Sequence, residues 1–396
     1  MPATDSLPSS SHAAEEIAAW LRLAYTPGIS RLAAARLLRH HGTPQAVLAA
    51  SHVAPASHED GPHEDVPRLT AGQAAALRAP ATAVQQALLD TTMAWSMRPG
   101  HRLLTFADTA YPPLLREIAD PPLLLHACGN SALLARAALG IVGSRNATVQ
   151  GRLNAQRFAH SLAGAGLTIV SGLALGIDAA AHAGALQGEG STVAVIGTGI
   201  DVVYPATNAG LARRIAQEGG CIVSEFALGT PARAPHFPIR NRTISGMTRG
   251  VLVVEAAERS GSLITARCAG EQGRDVFAIP GSIHATLSKG CHRLIREGAL
   301  LVETADDILA ALRIGDAARM PCVDEGNASC EDAMLTSLQH AARPLLDALT
   351  YDPVGIDELA SRLQLDAAAT QASLLALELA GVVERLPGGA FQRLKR

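Results

Sequence analysis

The sequence predicts an α/β protein: a doubly wound, Rossmann-like parallel sheet with a helical N-terminal domain and a C-terminal winged-helix domain. Three observations carry this. From residue 139 onward, short strands that are apolar throughout alternate with helical stretches. Residues 14–50 hold two apolar helical runs joined by a tight turn, and residues 341–396 hold three helical stretches and a hairpin candidate. A chain of 396 residues has room for two or three such units. The expected division is a helical domain over 1–90, a sheet domain over 91–311, an acidic linker over 312–340 and a winged helix over 341–396.

At the N-terminus, EEIAAWLRLA and RLAAARLLRHHG flank the turn TPGIS. The pattern is that of a helix–hairpin–helix, with Gly28 at the turn and Ser30 capping the second helix. Such units often touch a DNA backbone. Residues 1–90 carry 6 Lys+Arg against 8 Asp+Glu, however, which favours a plain packing module. Residues 51–69, SHVAPASHEDGPHEDVPRL, read as a flexible surface insertion whose histidines are solvated rather than metal-bound.

The sheet domain follows from seven strands: LGIVG (139–143), LTIVSG (167–172), TVAVIG (192–197), CIVSE (221–225), VLVVEA (251–256), VFAIP (276–280) and ALLVE (299–303). None alternates apolar with polar, so each is buried on both faces, as in a parallel sheet covered by helices. Helices are expected at 148–165, 178–187, 207–218, 262–273 and 289–297. Aromatics make up only 3% of the chain, so the core is built from Ala, Leu, Val and Ile. The six cysteines form no C-x-x-C pair and no zinc-type cluster, which predicts reduced thiols, no metal and a cytoplasmic protein.

In an open parallel sheet, ligands bind at the carboxyl ends of the strands. The residues there are Gly143-Ser144-Arg145, Gly172, Gly197 and Gly199 with Asn208, and Ser260-Gly261. The stretch FPIRNRTISG (237–246) adds Phe237, Arg240, Asn241 and Arg242 at what reads as a helix entrance. Glycine admits close backbone approach, and helix N-termini with arginine favour an anion. Residues 139–303 hold 15 Lys+Arg against 11 Asp+Glu, so the basic excess lies in this domain. The G-x-G-x-x-G fingerprint and the Walker A motif are both absent, which argues against NAD, FAD and ATP, and no cofactor is expected. Asp178 and His182 share a helix face, yet no nucleophile with a paired base is apparent. A groove of main-chain donors and arginines suits a sugar–phosphate chain.

The motifs GSR (143–145), SGLALGIDAAAH (171–182), GTGIDVVYPATN (197–208), FPIRNRTISG (237–246), VVEAAERSGSLITA (253–266) and EQGRDVFAIPG (271–281) together resemble the DNA-processing protein A (DprA/Smf) family. The likeness covers about residues 95–310. It implies a non-enzymatic protein that binds single-stranded DNA without sequence preference. It further implies loading of the RecA recombinase onto that strand during natural transformation, and a homodimer formed through the Rossmann-like domain. Carried over by motif, the DNA-binding residues are Gly143, Ser144, Arg145, Gly172, Gly197, Gly199, Asn208, Phe237, Arg240, Asn241, Arg242, Ser260, Gly261, Lys289 and His292.

Two positions depart from the family pattern. Ala206 stands where many members carry a basic residue, with Arg213 or Arg214 as candidate substitutes. His292 stands where the family usually has Asn, which makes that contact a candidate for pH sensitivity. The third helix of the tail, DAAATQASLLALELAG, has no Lys or Arg, so the winged helix is not expected to read duplex sequence. Two rivals remain. A phosphoribohydrolase-like enzyme would need P-G-G-x-G-T-x-x-E where this chain has EAAERSGSLITA. A recombination scaffold that no longer binds DNA is favoured only by Ala206.

Overall fold

The computed structural model describes residues 10–51, 69–314, 343–349, 353–386 and 389–394. Most of the predicted insertion and linker, together with Cys322, Cys330, Pro387-Gly388 and the terminal Lys395-Arg396, lie outside the described residues. Among the described residues no helix is long and apolar enough to cross a membrane.

The first unit comprises α1 (Ser10–Tyr25), α2 (Arg31–His41), α3 (Pro44–Ala50), α4 (Ala71–Arg78) and α5 (Ala83–Ser96). Gly28 makes the predicted turn at φ +83°, and the Ser30 hydroxyl accepts from Ala33 N at 3.2 Å. Thr70–Gln73 and Thr82–Gln85 form capping boxes that start α4 and α5. Helix α5 runs through the expected boundary at 90/91, so the helical unit extends to Ser96. Trp20, Leu23, Leu37 and Leu77 pack with Leu123 and Leu124, which ties this unit to the edge of the sheet.

The sheet has nine strands: β1 (His101–Thr105), β2 (Leu124–Gly129), β3 (Ala138–Val142), β4 (Thr168–Ser171), β5 (Thr192–Val195), β6 (Cys221–Ser224), β7 (Gly250–Val253), β8 (Asp275–Ala278) and β9 (Leu300–Leu301). Their order is β1-β2-β6-β5-β4-β3-β7-β8-β9. All seven expected strands are present and run parallel. The lead-in adds β1 and β2, which pair antiparallel with each other and with β6. Their sequences lack the strong all-apolar pattern: Arg102 is exposed, and Cys128 and Gly129 are half-buried.

Side chains leave β3 alternately, Ala138 and Val142 into one apolar layer and Leu139 and Ile141 into the other. One layer is closed by α7 (Val149–Gly164) and α8 (Ile177–Ala185). The other is closed by α10 (His236–Gly246), α11 (Ser262–Glu271) and α12 (Lys289–Arg296). Helices α6 (Pro113–Glu117), α9 (Ala209–Gln217) and α13 (Ala305–Ala311) complete the domain. The chain builds outward from β3 through β4, β5 and β6, then returns to β7 on the other side of β3. That reversal opens a crevice above β3 and β7, where such sheets bind ligands.

The last unit has α14 (Arg343–Ala348), β10 (Val354–Gly355), α15 (Ile356–Leu363), α16 (Ala367–Leu379), β11 (Val383–Arg385) and β12 (Ala390–Arg393). Three helices and a small antiparallel sheet of order β10-β12-β11 make the winged helix. Leu359, Leu374, Leu377 and Phe391 form its core.

Candidate functional site

The crevice is a cavity of about 800 Å³. Its floor begins with the turn after β3. A Cβ on Gly143 would come within 2.6 Å of the Ile177 side chain and 2.9 Å of Glu255 O, so only glycine lets β3, β7 and α8 meet there. Ser144 N donates to Glu255 O at 2.7 Å, and Ser144 Oγ accepts from Asn146 N at 3.2 Å. These contacts hold the backbone so that Arg145 and Asn146 project into solvent from the rim. Among the described residues Arg145 has no ion-pair partner.

The second wall is the loop after β4. Gly176, at φ +76°, lies where a Cβ would meet Ser144 O at 2.3 Å. Asp178 is buried and accepts from Gly172 N at 3.1 Å and Ala174 N at 3.3 Å. Burial raises its carboxyl above the usual range, against the opposing pull of Arg240. His182 is fully buried. Its Nε2 accepts from Leu173 N at 3.3 Å and its Nδ1 lies 2.7 Å from Thr192 Oγ1. Thr192 Oγ1 itself donates to Ile169 O, so Nδ1 carries the proton and the ring is neutral. Burial, then Arg240, pushes this imidazole down to about 3. Asn208 Nδ2 donates to Leu173 O and Ala174 O at 2.8 and 3.1 Å. Asp178, His182 and Asn208 therefore pin one loop and leave no free acid–base pair.

The Arg-Asn-Arg stretch takes a different place from the one its sequence suggests. Helix α10 begins at His236, so Arg240 is in its second turn and not among the exposed first-turn amides. Successive helical residues point about 100° apart, so three in a row cannot face one ligand. Arg240 is 5% exposed, donates from Nη1 to Val195 O at 3.0 Å, and forms part of the cavity floor. Arg242 is drawn away by carboxylates: Nη2 donates to Glu225 at 2.6 Å and Nε lies 3.2 Å from Asp120. Asn241 lines the cavity, with Nδ2 3.5 Å from Gly261 O.

Phe237 packs against Gly197, where a Cβ would stand 3.3 Å from its ring. The Arg145 and Arg240 guanidiniums lie 5.5 and 6.0 Å from its centroid, and Tyr204 lies 5.7 Å away. Ser260 and Gly261 border the cavity, with Ser260 Oγ 2.7 Å from Ser262 Oγ. Gly199 supports the adjoining turn, its N donating to Thr230 O at 2.9 Å.

The remaining residues lie elsewhere. Lys289 and His292 sit on α12 and do not border the cavity. Lys289 Nζ donates to Ile283 O, and His292 Nε2 is 2.9 Å from Gly281 O. Arg213 and Arg214 also lie outside the lining, and Arg214 pairs with Glu218 at 3.0 Å. Tyr204, Asn146 and Arg259 line the cavity without having been singled out from the sequence. Tyr204 is 48% exposed beside Phe237, and an aromatic adjoining a glycine-rich strand end was the signal available. Among the described residues no group of three His, Cys, Asp or Glu is placed to hold a metal.

The fold and crevice thus define a class: a doubly wound α/β protein with an arginine-rimmed, aromatic-lined groove at its topological switch point and a C-terminal winged helix. The family described as DNA recombination-mediator protein A matches residues 102–313, and the DprA winged helix domain matches residues 331–389. Protein Smf of Escherichia coli (strain K12) is 42% identical over 309 residues, covering 78% of this chain and 81% of that protein. The DNA processing protein DprA of Streptococcus pneumoniae (strain ATCC BAA-255 / R6) is 51% identical over 203 residues, 51% of this chain and 71% of that one. The X-ray structure of Streptococcus pneumoniae DprA superposes with a TM-score of 0.58 at 38% identity, covering 75% of this chain and 97% of that chain. The chain belongs to the DNA recombination-mediator protein A (DprA/Smf) family.

Proposed function

We propose that this member of the DNA-processing recombination mediators binds single-stranded DNA in the crevice without sequence preference and without cleaving it. The observation that carries this reading is the composition of the cavity wall. Arg145, Arg240 and Arg259 line it with a single carboxylate, Asp178, which is itself buried against Arg240. Positive charge follows the phosphates, while Tyr204 and Phe237 offer ring faces to unstacked bases. A duplex would leave those rings without partners.

The same reading extends to partners. Edge strand β9 leaves Leu300 and Leu301 about half exposed, at 48% and 51%, which supports a homodimer through this domain. Loading of RecA onto the bound strand, which membership of a recombination-mediator family supports, is part of the proposal.

Anisotropy titration of a labelled dT oligonucleotide across a salt series tests the reading. A negative log–log salt slope that becomes shallower by roughly 0.7 in Arg145→Ala supports a phosphate contact there. Absence of binding by the wild-type protein at low salt overturns the proposal.

A further inference from the structure

Helix α7 starts four residues beyond Arg145, at the end of the same groove. Thr148 caps it, with Oγ1 accepting from Gly151 N at 2.9 Å. Two carboxylates converge on this turn. Glu255 accepts from Thr148 N at 3.0 Å and from Thr148 Oγ1 at 2.6 Å. The next amide, Val149 N, donates to both carboxylate oxygens of Glu384, at 2.9 and 3.0 Å. Glu384 is on β11 of the winged helix, 235 residues further along the chain.

The positive end of α7 attracts one carboxylate readily. A second beside it is repelled by the first. The Glu255 carboxyl is raised above its usual range by burial, and the Glu384 charge adds to that rise. Glu255 is held by both Thr148 hydrogen bonds and packs on Gly151, where a Cβ would meet its carboxylate at 2.3 Å, within the same domain as α7. Glu384 is half-buried and reaches α7 from another domain, through the Val149 amide. Of the two acids, it is the one that can go.

We propose that Glu384 is a displaceable latch: it docks the winged helix on the α7 end of the groove, and a nucleic-acid strand laid along Arg145 and Asn146 releases it. The inference rests on the strand-binding reading above. A phosphodiester on Asn146 brings a third negative charge to a turn that already holds two. The strand and the Glu384 carboxylate then compete for one region of positive potential. Linkage is reciprocal, so whatever factor DNA contributes to opening the latch, the latch removes from DNA affinity. The winged helix acts here through one glutamate of β11 rather than through a recognition helix.

The test uses the full-length protein and a labelled dT oligonucleotide at fixed salt. Glu384→Ala is expected to bind roughly fivefold or more tightly than wild type, with Glu384→Gln between them. Asp357→Asn removes one charge from the exposed surface of the same domain without touching α7, and is expected to bind as wild type does. Small-angle scattering gives a second readout: a larger radius of gyration for Glu384→Ala without DNA, and for wild type with it. Unchanged or weaker binding by Glu384→Ala, with wild type binding normally, overturns the latch and leaves the groove reading standing. Equal tightening by Asp357→Asn also overturns it, because net charge then accounts for the effect. No binding by any variant overturns the groove reading and with it the release by DNA.

Discussion

Arg242 Nη2 lies 2.6 Å from Glu225 Oε2, and neither residue borders the cavity. Their side chains are 10% and 4% exposed, and Arg31 of α2 adds a third member, with its Nε 3.6 Å from the same carboxylate. The pair therefore fastens α10 and the helical unit to the end of β6. Removing one partner of an isolated buried pair costs about 3–5 kcal/mol; here Arg31 and the Thr243 hydroxyl stay on Glu225, so that range is an upper bound. Arg242→Ala is expected to lose stability in urea unfolding, by less than that full range. Its salt slope for the oligonucleotide, measured where the protein is folded, should match wild type. A slope shallower by a full phosphate contact would instead put Arg242 in the groove.

Arg145 is the complementary case. It is exposed, carries no ion pair among the described residues, and supports only the ring of Phe237. Arg145→Ala should keep the wild-type unfolding midpoint and lose affinity together with about 0.7 of salt slope. Arg259→Ala should behave in the same way.

The aromatic wall predicts a different signature. Tyr204→Ala and Phe237→Ala should each weaken oligonucleotide binding by about 1–3 kcal/mol while leaving the salt slope unchanged. Titrations at two salt concentrations separate this loss from that of Arg145→Ala.

Gly172 tests the floor. A Cβ there would lie 1.4 Å from Arg240 Nη1, and the guanidinium is buried with Val195 O and Asp178 around it. Gly172→Ala must displace Arg240 or the loop after β4, at a cost of about 1–3 kcal/mol for overpacking. Both the unfolding midpoint and the oligonucleotide affinity are expected to fall. Gly261, whose Cβ would meet nothing within 4 Å, is the control, and Gly261→Ala should fold as wild type.

Two buried histidines contribute to the response to acid. Burial pushes His126, which packs against Trp95, down to about 4, and His182 down to about 3, from an ordinary 6.5. Each folded-state value is depressed, so the unfolded chain takes up the proton first. Their stability contribution is complete above pH 6.5 and drains away as pH falls toward 4. For His126 the loss by pH 4 is on the order of 3 kcal/mol. Urea midpoints at pH 7, 5.5 and 4.5 should fall in that order, and His126→Phe should flatten the decline.

Much of the fold was legible because its signals are local. All-apolar runs such as LGIVG and VLVVEA specify buried parallel strands wherever they occur, and helical runs between them leave one topology class open. The two antiparallel strands β1 and β2 were missed because HRLLT and LLHACG carry no comparable pattern, and part of their cover comes from the helical unit packed on them. Gly143, Ser144 and Arg145 were readable as cavity-lining residues because the end of a strand is a defined place on such a sheet.

By itself the sequence determined the α/β class, the order of the parallel strands' segments, the winged helix and the strand-end motifs that mark the family. Tertiary structure decided which of those motif residues reach the groove. Arg240, Asn241 and Arg242 are adjacent in sequence, yet one is floor, one is wall and one is held by Glu225, 17 residues upstream. Glu384 meets Val149 across 235 residues. A helix turns each residue about 100° from the last, and the partner that claims each side chain comes from a strand or domain whose position no local pattern encodes.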